Sequence, residues 1–456
     1  MRGKVNRYIK NPYDLNMINI DMIKKDILKQ IEIKESIFDL QYPPSTNKRI
    51  DSLGKQKSNY TFYTGTGGNI YLYWRQYLFY KKSPKYLEKF KIALETNLKL
   101  LNQSEKNNFT NSFFMGDSGI YLFCCIYGIE TNNNKFFNEY FNKLISLKSL
   151  GDNNELELEL ELLYGITGYL YSLLFLKKYL LSINLNKSFL NEEKILNNTI
   201  IDIFYELIKK GTKHMKNYSW DYCLLYPFPL NDDDSYLYLG AAHGLIGVLY
   251  MLLCTIKLYP HLLTDNKIFD KKYGNFSNFL LKNLNYVKSL QNKTGNFPDD
   301  VQGKDSDEKV HFCHGCVGAV HLFVLAEELF PNNGFDKVAQ NCNKCLWERG
   351  ILYKGNGVCH GMSGTCYALM KLYIQSNDIL YLKEAVAIAS ATFDEKIQSL
   401  VSNFSDPQRK RKGIPDTPFS LMEGDGGLLI MYYDLIALLE KDKDKMTKLF
   451  PGYEIF

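Results

Sequence analysis

A Gly-x-x-Gly element recurs seven times along this chain, each time followed by an apolar, helix-like run. The pairs are Gly65/Gly68, Gly116/Gly119, Gly165/Gly168, Gly244/Gly247, Gly315/Gly318, Gly361/Gly364 and Gly424/Gly427. Successive starts lie 46 to 79 residues apart, room for two helices and their loops. Spacing of that order marks stacked supersecondary units that bury a shared core.

The run after each pair is apolar nearly all round, as in Val248-Leu249-Tyr250-Met251-Leu252-Leu253, so these helices should be buried on most faces. Amphipathic segments lie between them. Ser83-Pro84 reads as an N-cap followed by proline at the first helical position. Leu87, Phe90, Leu94, Leu98 and Leu101 then mark one face at helical spacing. Leu380 to Phe393 reads as another outer helix. Buried and amphipathic helices alternating in seven units predict an all-α fold, an α/α toroid with seven inner and seven outer helices. Each glycine pair would let an inner helix start close against neighbouring backbone. The expected organisation is one toroid domain over residues 51–456, with residues 1–50 as a segment packed on it. One stretch resists: Glu155 to Leu162 alternates with period two, the spacing of a strand, and is read as a low-complexity insertion joined to the next helix. Asn231-Asp232-Asp233-Asp234 reads as a solvated loop, and 102–110 and 402–412 as further polar loops.

Of the 456 residues, 45% are hydrophobic and 23% charged, enough apolar material for a sizeable core. The net charge of +5 is mild and well mixed, and no basic stripe or RNA-binding signature is present, which argues against nucleic acid. No apolar stretch follows the basic Met1–Arg7, so a secretory signal is not expected. The most apolar run, Leu245 to Cys254, is about half a membrane span and reads as a buried helix. Ten cysteines without such a signal fit reduced thiols and a cytoplasmic protein. Peripheral contact with the plasma membrane stays open.

Two of the glycine turns carry chemistry. Gly357-Val358-Cys359-His360-Gly361 has a near twin in Phe312-Cys313-His314-Gly315. Cys313, Cys359 and His360 are the metal candidates. Thiolate plus imidazole suits zinc, and three protein ligands leave a fourth position open for a reactant. The bland alternative is a set of core cysteines, since free cysteine is among the most buried residue types. Equivalent positions in two repeats favour the metal. A rival site would be four cysteines, Cys313-x-x-Cys316 with Cys342-x-x-Cys345, although the second pair lies in a helix-like segment. His314 is the weaker ligand candidate. His243, in Gly240-Ala241-Ala242-His243-Gly244, is a candidate general acid/base, because imidazole titrates near neutrality. A hydrogen-bonded structural histidine is the equal alternative.

These residues resemble the lanthionine synthetase C-like family, specifically its eukaryotic branch. The matching stretches run in order along the chain: Asn11-Pro12-Tyr13, Tyr63-Thr64-Gly65, Glu161-Leu162-Leu163-Tyr164-Gly165, Gly240–Gly244, Phe312–Gly315, Gly357–Gly361 and Pro415–Leu421. The resemblance implies an α-toroid with Zn2+ held by Cys313, Cys359 and His360. Bacterial members add a cysteine thiol to dehydroalanine or dehydrobutyrine; eukaryotic members bind glutathione and add it to dehydrated residues of damaged proteins. By the same matching, His243 protonates the α-carbon and Glu161 assists it, where bacterial cyclases carry aspartate. Arg7, Lys354, Asp416 and the position of Gly413 would bind glutathione. Gly413 departs from the family, which places arginine there; Arg409-Lys410-Arg411-Lys412 lies just upstream.

The function expected is therefore zinc-dependent addition of glutathione to dehydroamino-acid residues of proteins or peptides. A zinc-bearing, glutathione-sensing scaffold is the alternative. A third reading, a carbohydrate-active toroid with paired carboxylates such as Glu423 and Asp425, leaves the two cysteines and His360 without a task.

Overall fold

The computed structural model describes residues 6–105, 109–151, 158–183, 189–230, 235–264, 275–303, 307–406, 411–412, 417–442 and 450–456. The described helices, in chain order, begin with α1 (Ile20–Gln41), α2 (Gly67–Phe79), α3 (Pro84–Leu101), α4 (Ser118–Glu130) and α5 (Asn134–Ser146). Then come α6 (Ile166–Ser182), α7 (Leu190–Asn217), α8 (Leu245–Leu258), α9 (Phe276–Ser289) and α10 (Cys316–Leu329). The last are α11 (Phe335–Arg349), α12 (Met362–Ser376), α13 (Ile379–Ala391), α14 (Glu395–Asn403) and α15 (Asp425–Glu440). The paired strands among the described residues are two antiparallel pairs of two-residue strands, 49–50 with 56–57 and 405–406 with 411–412.

Backbone contacts divide the chain into two compact units. One comprises residues 1–104, 308–312 and 340–451; the other comprises 105–307, 313–339 and 452–456. In the first, α2 packs on α15 and α15 on α12, and each also meets a further helix: α3 on α2, α13 on α12, and α1 on α15. α13, expected as an amphipathic outer helix, is instead buried throughout residues 384–391. In the second, α4, α6, α8 and α10 pack in succession, with α5 against α4 and α7 against α6. The seven helices that follow the glycine pairs are those buried on nearly every side. All thirteen residues of α2 are buried, as are residues 245–256 of α8. No described helix is long and apolar enough to cross a membrane.

The glycine turns set helix starts against neighbouring backbone, as expected. The first glycine of five pairs is the residue just before the helix: Gly165, Gly244, Gly315, Gly361 and Gly424. Four of these five have φ near −120° or beyond, backbone open to any residue. What excludes a side chain is a carbonyl six residues upstream. A Cβ on Gly244 would stand 2.1 Å from the Tyr238 carbonyl oxygen, and one on Gly424 2.2 Å from that of Pro418. Gly315 alone of the five needs its conformational freedom, at φ +106.

α3 begins as the sequence indicates, with Pro84 at its first position, but the Ser83 side chain makes no capping bond. Its inward face is rotated toward Asn97, which is fully buried because its amide group bonds the Thr66 carbonyl and hydroxyl. The period-two segment forms no strand where it is described. Residues 158–162 are buried whether apolar or acidic, with Glu159 4% and Glu161 1% exposed. The reason is that both carboxylates are satisfied by backbone: Glu159 accepts from the Leu230 N–H, and Glu161 from those of Leu163 and Tyr164. Buried acids with such partners break the rule that alternation means one wet face. Residues 155–157 and the acidic stretch 231–234 lie outside the described residues.

Candidate metal centre

Cys359 and His360 sit on the turn that leads into α12. The turn is fixed by backbone. Cys359 donates its N–H to the Met422 carbonyl (2.8 Å), and its own carbonyl accepts from Phe312 (2.8 Å). Met422 in turn donates to Tyr63 (3.2 Å). Each bond joins one glycine turn to another. Gly357 lies flat against residue 423, where a Cβ would be 2.4 Å from the Glu423 carbonyl oxygen. Because Phe312 is bonded to Cys359, the residue after it, Cys313, is placed as well. The ligand atoms of Cys313, Cys359 and His360 all lie within 4.8 Å of one another.

That donor set fits a metal ion. Small side-chain rotations would bring all three within reach of one ion at about 2.0–2.3 Å. Cys359 is wholly buried and Cys313 7% exposed, while the His360 side chain is 14% exposed. Among the described residues this is the one group of three or more such side chains placed to share an ion. The four-cysteine alternative does not assemble as such a group. Cys342 and Cys345 are buried on α11, and Cys316 begins α10 with its N–H on Asn296 Oδ1. No cysteine is in a disulfide.

Several neighbours of the group carry no signal in composition or spacing. The Tyr63 hydroxyl donates to Cys359 Sγ at 3.1 Å. Glu423 Oε1 lies 4.0 Å from His360 Nε2, and its other oxygen accepts from Thr417 Oγ1 at 2.8 Å. The ring of His311 stands 5.8 Å from that of His360. Glu423 and Asp425 do not act as a carboxylate pair, for Asp425 is bound to Lys34 on α1 at 2.6 Å.

His243 is carried by the turn before α8. That turn touches the Cys313 turn so closely that a Cβ on Gly240 would stand 1.8 Å from the Cys313 carbonyl oxygen. On its other side the Ala242 carbonyl accepts from Leu163 at 3.1 Å, joining it to the turn of Glu161. His243 Nδ1 lies 3.5 Å from Glu161 Oε2. The imidazole is 19% exposed, set among Tyr164 at 5.9 Å, Phe228 at 5.9 Å and Tyr238 at 6.0 Å between ring centroids. Burial, with Tyr236 and Asp299 nearby, raises the Tyr238 phenol above its ordinary pKa, so this wall stays uncharged at neutral pH. His314 is not one of the three grouped ligands; its ring faces Tyr238 at 5.1 Å and His243 at 5.4 Å.

Arg7 and Lys354 are also brought to one place. Residues 7–9 run antiparallel to 351–353: Tyr353 donates to the Arg7 carbonyl at 3.1 Å and Ile9 to that of Ile351 at 2.8 Å. Lys354 then precedes Gly355, whose carbonyl accepts from Met362 at the start of α12. Arg7 Nε lies 3.9 Å from Glu308. Gly413 and Asp416 lie outside the described residues.

A family model described as lanthionine synthetase C-like protein matches residues 56–455. Glutathione S-transferase LANCL1 of Danio rerio is 29% identical over 397 residues, covering 87% of this chain and 85% of that protein. LanC-like protein GCL1 of Arabidopsis thaliana is 26% identical over 298 residues, 65% of this chain and 58% of that one. Among solved structures, nisin cyclase matches with a TM-score of 0.53 at 16% identity, over 93% of this chain and 95% of its own. At that identity the likeness speaks for the fold, an all-α α/α toroid, as the seven repeated turns led us to expect.

Proposed function

The chain belongs to the lanthionine synthetase C-like family, and from that premise we propose that it adds the thiol of glutathione to dehydroalanine or dehydrobutyrine residues of proteins and peptides, with zinc as its metal. The observation that carries this reading is the convergence of Cys313, Cys359 and His360 beside a histidine backed by a buried carboxylate. The name of the zebrafish relative, a glutathione S-transferase, points the same way.

Zinc held by Cys313, Cys359 and His360 would lower the pKa of a bound thiol and so supply the sulfur as thiolate at neutral pH. The protein's own residues do the rest. The sulfur forms a bond to the β-carbon of the dehydro residue, and the π electrons of the alkene move onto the α-carbon and its carbonyl as an enolate. His243, protonated, gives its proton to the α-carbon. The net change moves the thiol's proton to that carbon and leaves a thioether. Glu161 Oε2 faces His243 Nδ1 at 3.5 Å and favours a proton there, which leaves Nε2 to carry the proton that is transferred. The Leu163 and Tyr164 N–H groups fix the Glu161 carboxylate in its place against the imidazole. The aromatic wall keeps water from quenching the enolate elsewhere. Arg7 and Lys354 supply the cations that the two carboxylates of glutathione need, with Asp416 and the chain about Gly413 as further contacts. The place of action is the cytoplasm.

Metal analysis of the purified chain tests the reading: about one zinc per chain, lost in Cys313→Ala and in Cys359→Ala. Zinc retained in both variants would remove the basis of the proposal.

A further inference from the structure

Tyr63 belongs to a motif, Tyr63-Thr64-Gly65, that the chemistry above does not use. It is tied to Cys359 twice. Through the main chain, Met422 donates to the Tyr63 carbonyl and accepts from the Cys359 N–H, at 3.2 and 2.8 Å. Through the side chain, the Tyr63 hydroxyl reaches Cys359 Sγ at 3.1 Å. These three bonds close a ring that holds the first, sixth and seventh glycine turns in one register. Cys359 is wholly buried. A buried thiolate is costly unless a donor or a cation meets it, and the phenol is a donor whose hydrogen bond to a charged sulfur is of the stronger, charge-assisted kind.

We propose that Tyr63 is a positioning residue for the metal centre: its hydroxyl fixes the rotamer of Cys359 and draws charge from its sulfur. The inference rests on the reading that Cys313, Cys359 and His360 hold a metal. Two consequences follow from the chemistry. A sulfur held in its ligating rotamer needs no reordering when the ion arrives, so affinity rises. A sulfur that shares its charge with a phenol neutralises the ion less, so the ion polarises a fourth ligand more strongly. Outer partners of this kind typically change metal affinity about 10–100-fold.

The test is Tyr63→Phe, which keeps the ring and removes only the hydroxyl. Zinc affinity of the full-length chain is measured by competition with a chromophoric chelator. The cobalt-loaded protein is followed in parallel through its thiolate-to-metal charge-transfer absorption. We expect zinc affinity to fall about 10-fold or more and the cobalt band to move to lower energy, as a more electron-rich sulfur requires. The metal-free protein should still fold cooperatively and melt only slightly lower, as the loss of a single hydrogen bond requires. Zinc affinity within two-fold of wild type, with an unmoved band, would overturn the proposal and leave Tyr63 as packing alone. Should Tyr63→Phe fail to fold, a fluorinated tyrosine at position 63 serves instead. As the stronger donor it must shift the band the opposite way, and an unmoved band again overturns the idea. If the wild-type chain takes up no metal, the reading beneath the proposal fails, a result distinct from equal affinities.

Discussion

Gly240→Ala is a small change with a consequence that can be worked from the structure. The new Cβ would lie 1.8 Å from the Cys313 carbonyl oxygen, 2.8 Å from its carbon and 3.1 Å from the His314 Cα, where contacts under 3.0 Å essentially never occur. All three atoms are backbone and none can rotate away. The turn of His243 and the turn of Cys313 must therefore part by at least 1.2 Å, the difference between 3.0 and 1.8. Overpacking of this kind costs about 1–3 kcal/mol. Metal–ligand distances are held to within about 0.2 Å of their standard values, so a shift of the Cys313 turn should cost metal as well. Gly54→Ala is the control: its φ of +76 strains an alanine, but no atom stands within 4 Å, so it should cost about 1 kcal/mol and leave the metal in place. Denaturant unfolding and metal content on both variants make the comparison. A Gly240→Ala protein as stable as wild type, with full metal, would refute the argument that the two turns are locked by contact.

Other expectations concern charge. His243→Asn should retain zinc and glutathione binding while adduct formation falls about 10²–10⁴-fold, the usual worth of a general acid, as read by initial rates. Glu384 on α13 is 2% exposed, and burial, only partly offset by the Asn343 amide, raises its carboxyl to about 7. Its folded pKa thus exceeds the unfolded one. Its contribution is present at low pH and is lost as pH climbs from about 4.5 toward 7, by on the order of 3 kcal/mol. Glu384→Gln should remove that part of the pH dependence of unfolding; an unchanged profile would contradict it.

Much of the fold was legible because its repeat is local. A glycine pair followed by an all-round apolar run specifies a buried helix within about twenty residues, and α8 lies where Leu245 to Cys254 announces it. Cys313, Cys359 and His360 were legible for the same reason, since equivalent places in repeated turns converge. What escaped depends on distant partners. Nothing near 425–440 shows that α15 is covered by α1, some 400 residues away. Glu159 looks solvated until the Leu230 N–H that binds it is known. Asn97 looks misplaced on an inward face until Thr66 is seen, and Tyr63 is one aromatic among many until its hydroxyl meets Cys359. Side chains satisfied by remote backbone leave no periodic trace.

The central claim, thiol addition at a zinc site, is tested most directly by mass spectrometry of a dehydroalanine-bearing peptide incubated with the protein and glutathione. The account predicts a peptide heavier by one glutathione, with product absent after the metal is stripped and restored when zinc is returned. A zinc-loaded chain that leaves the peptide unchanged under saturating glutathione would contradict it.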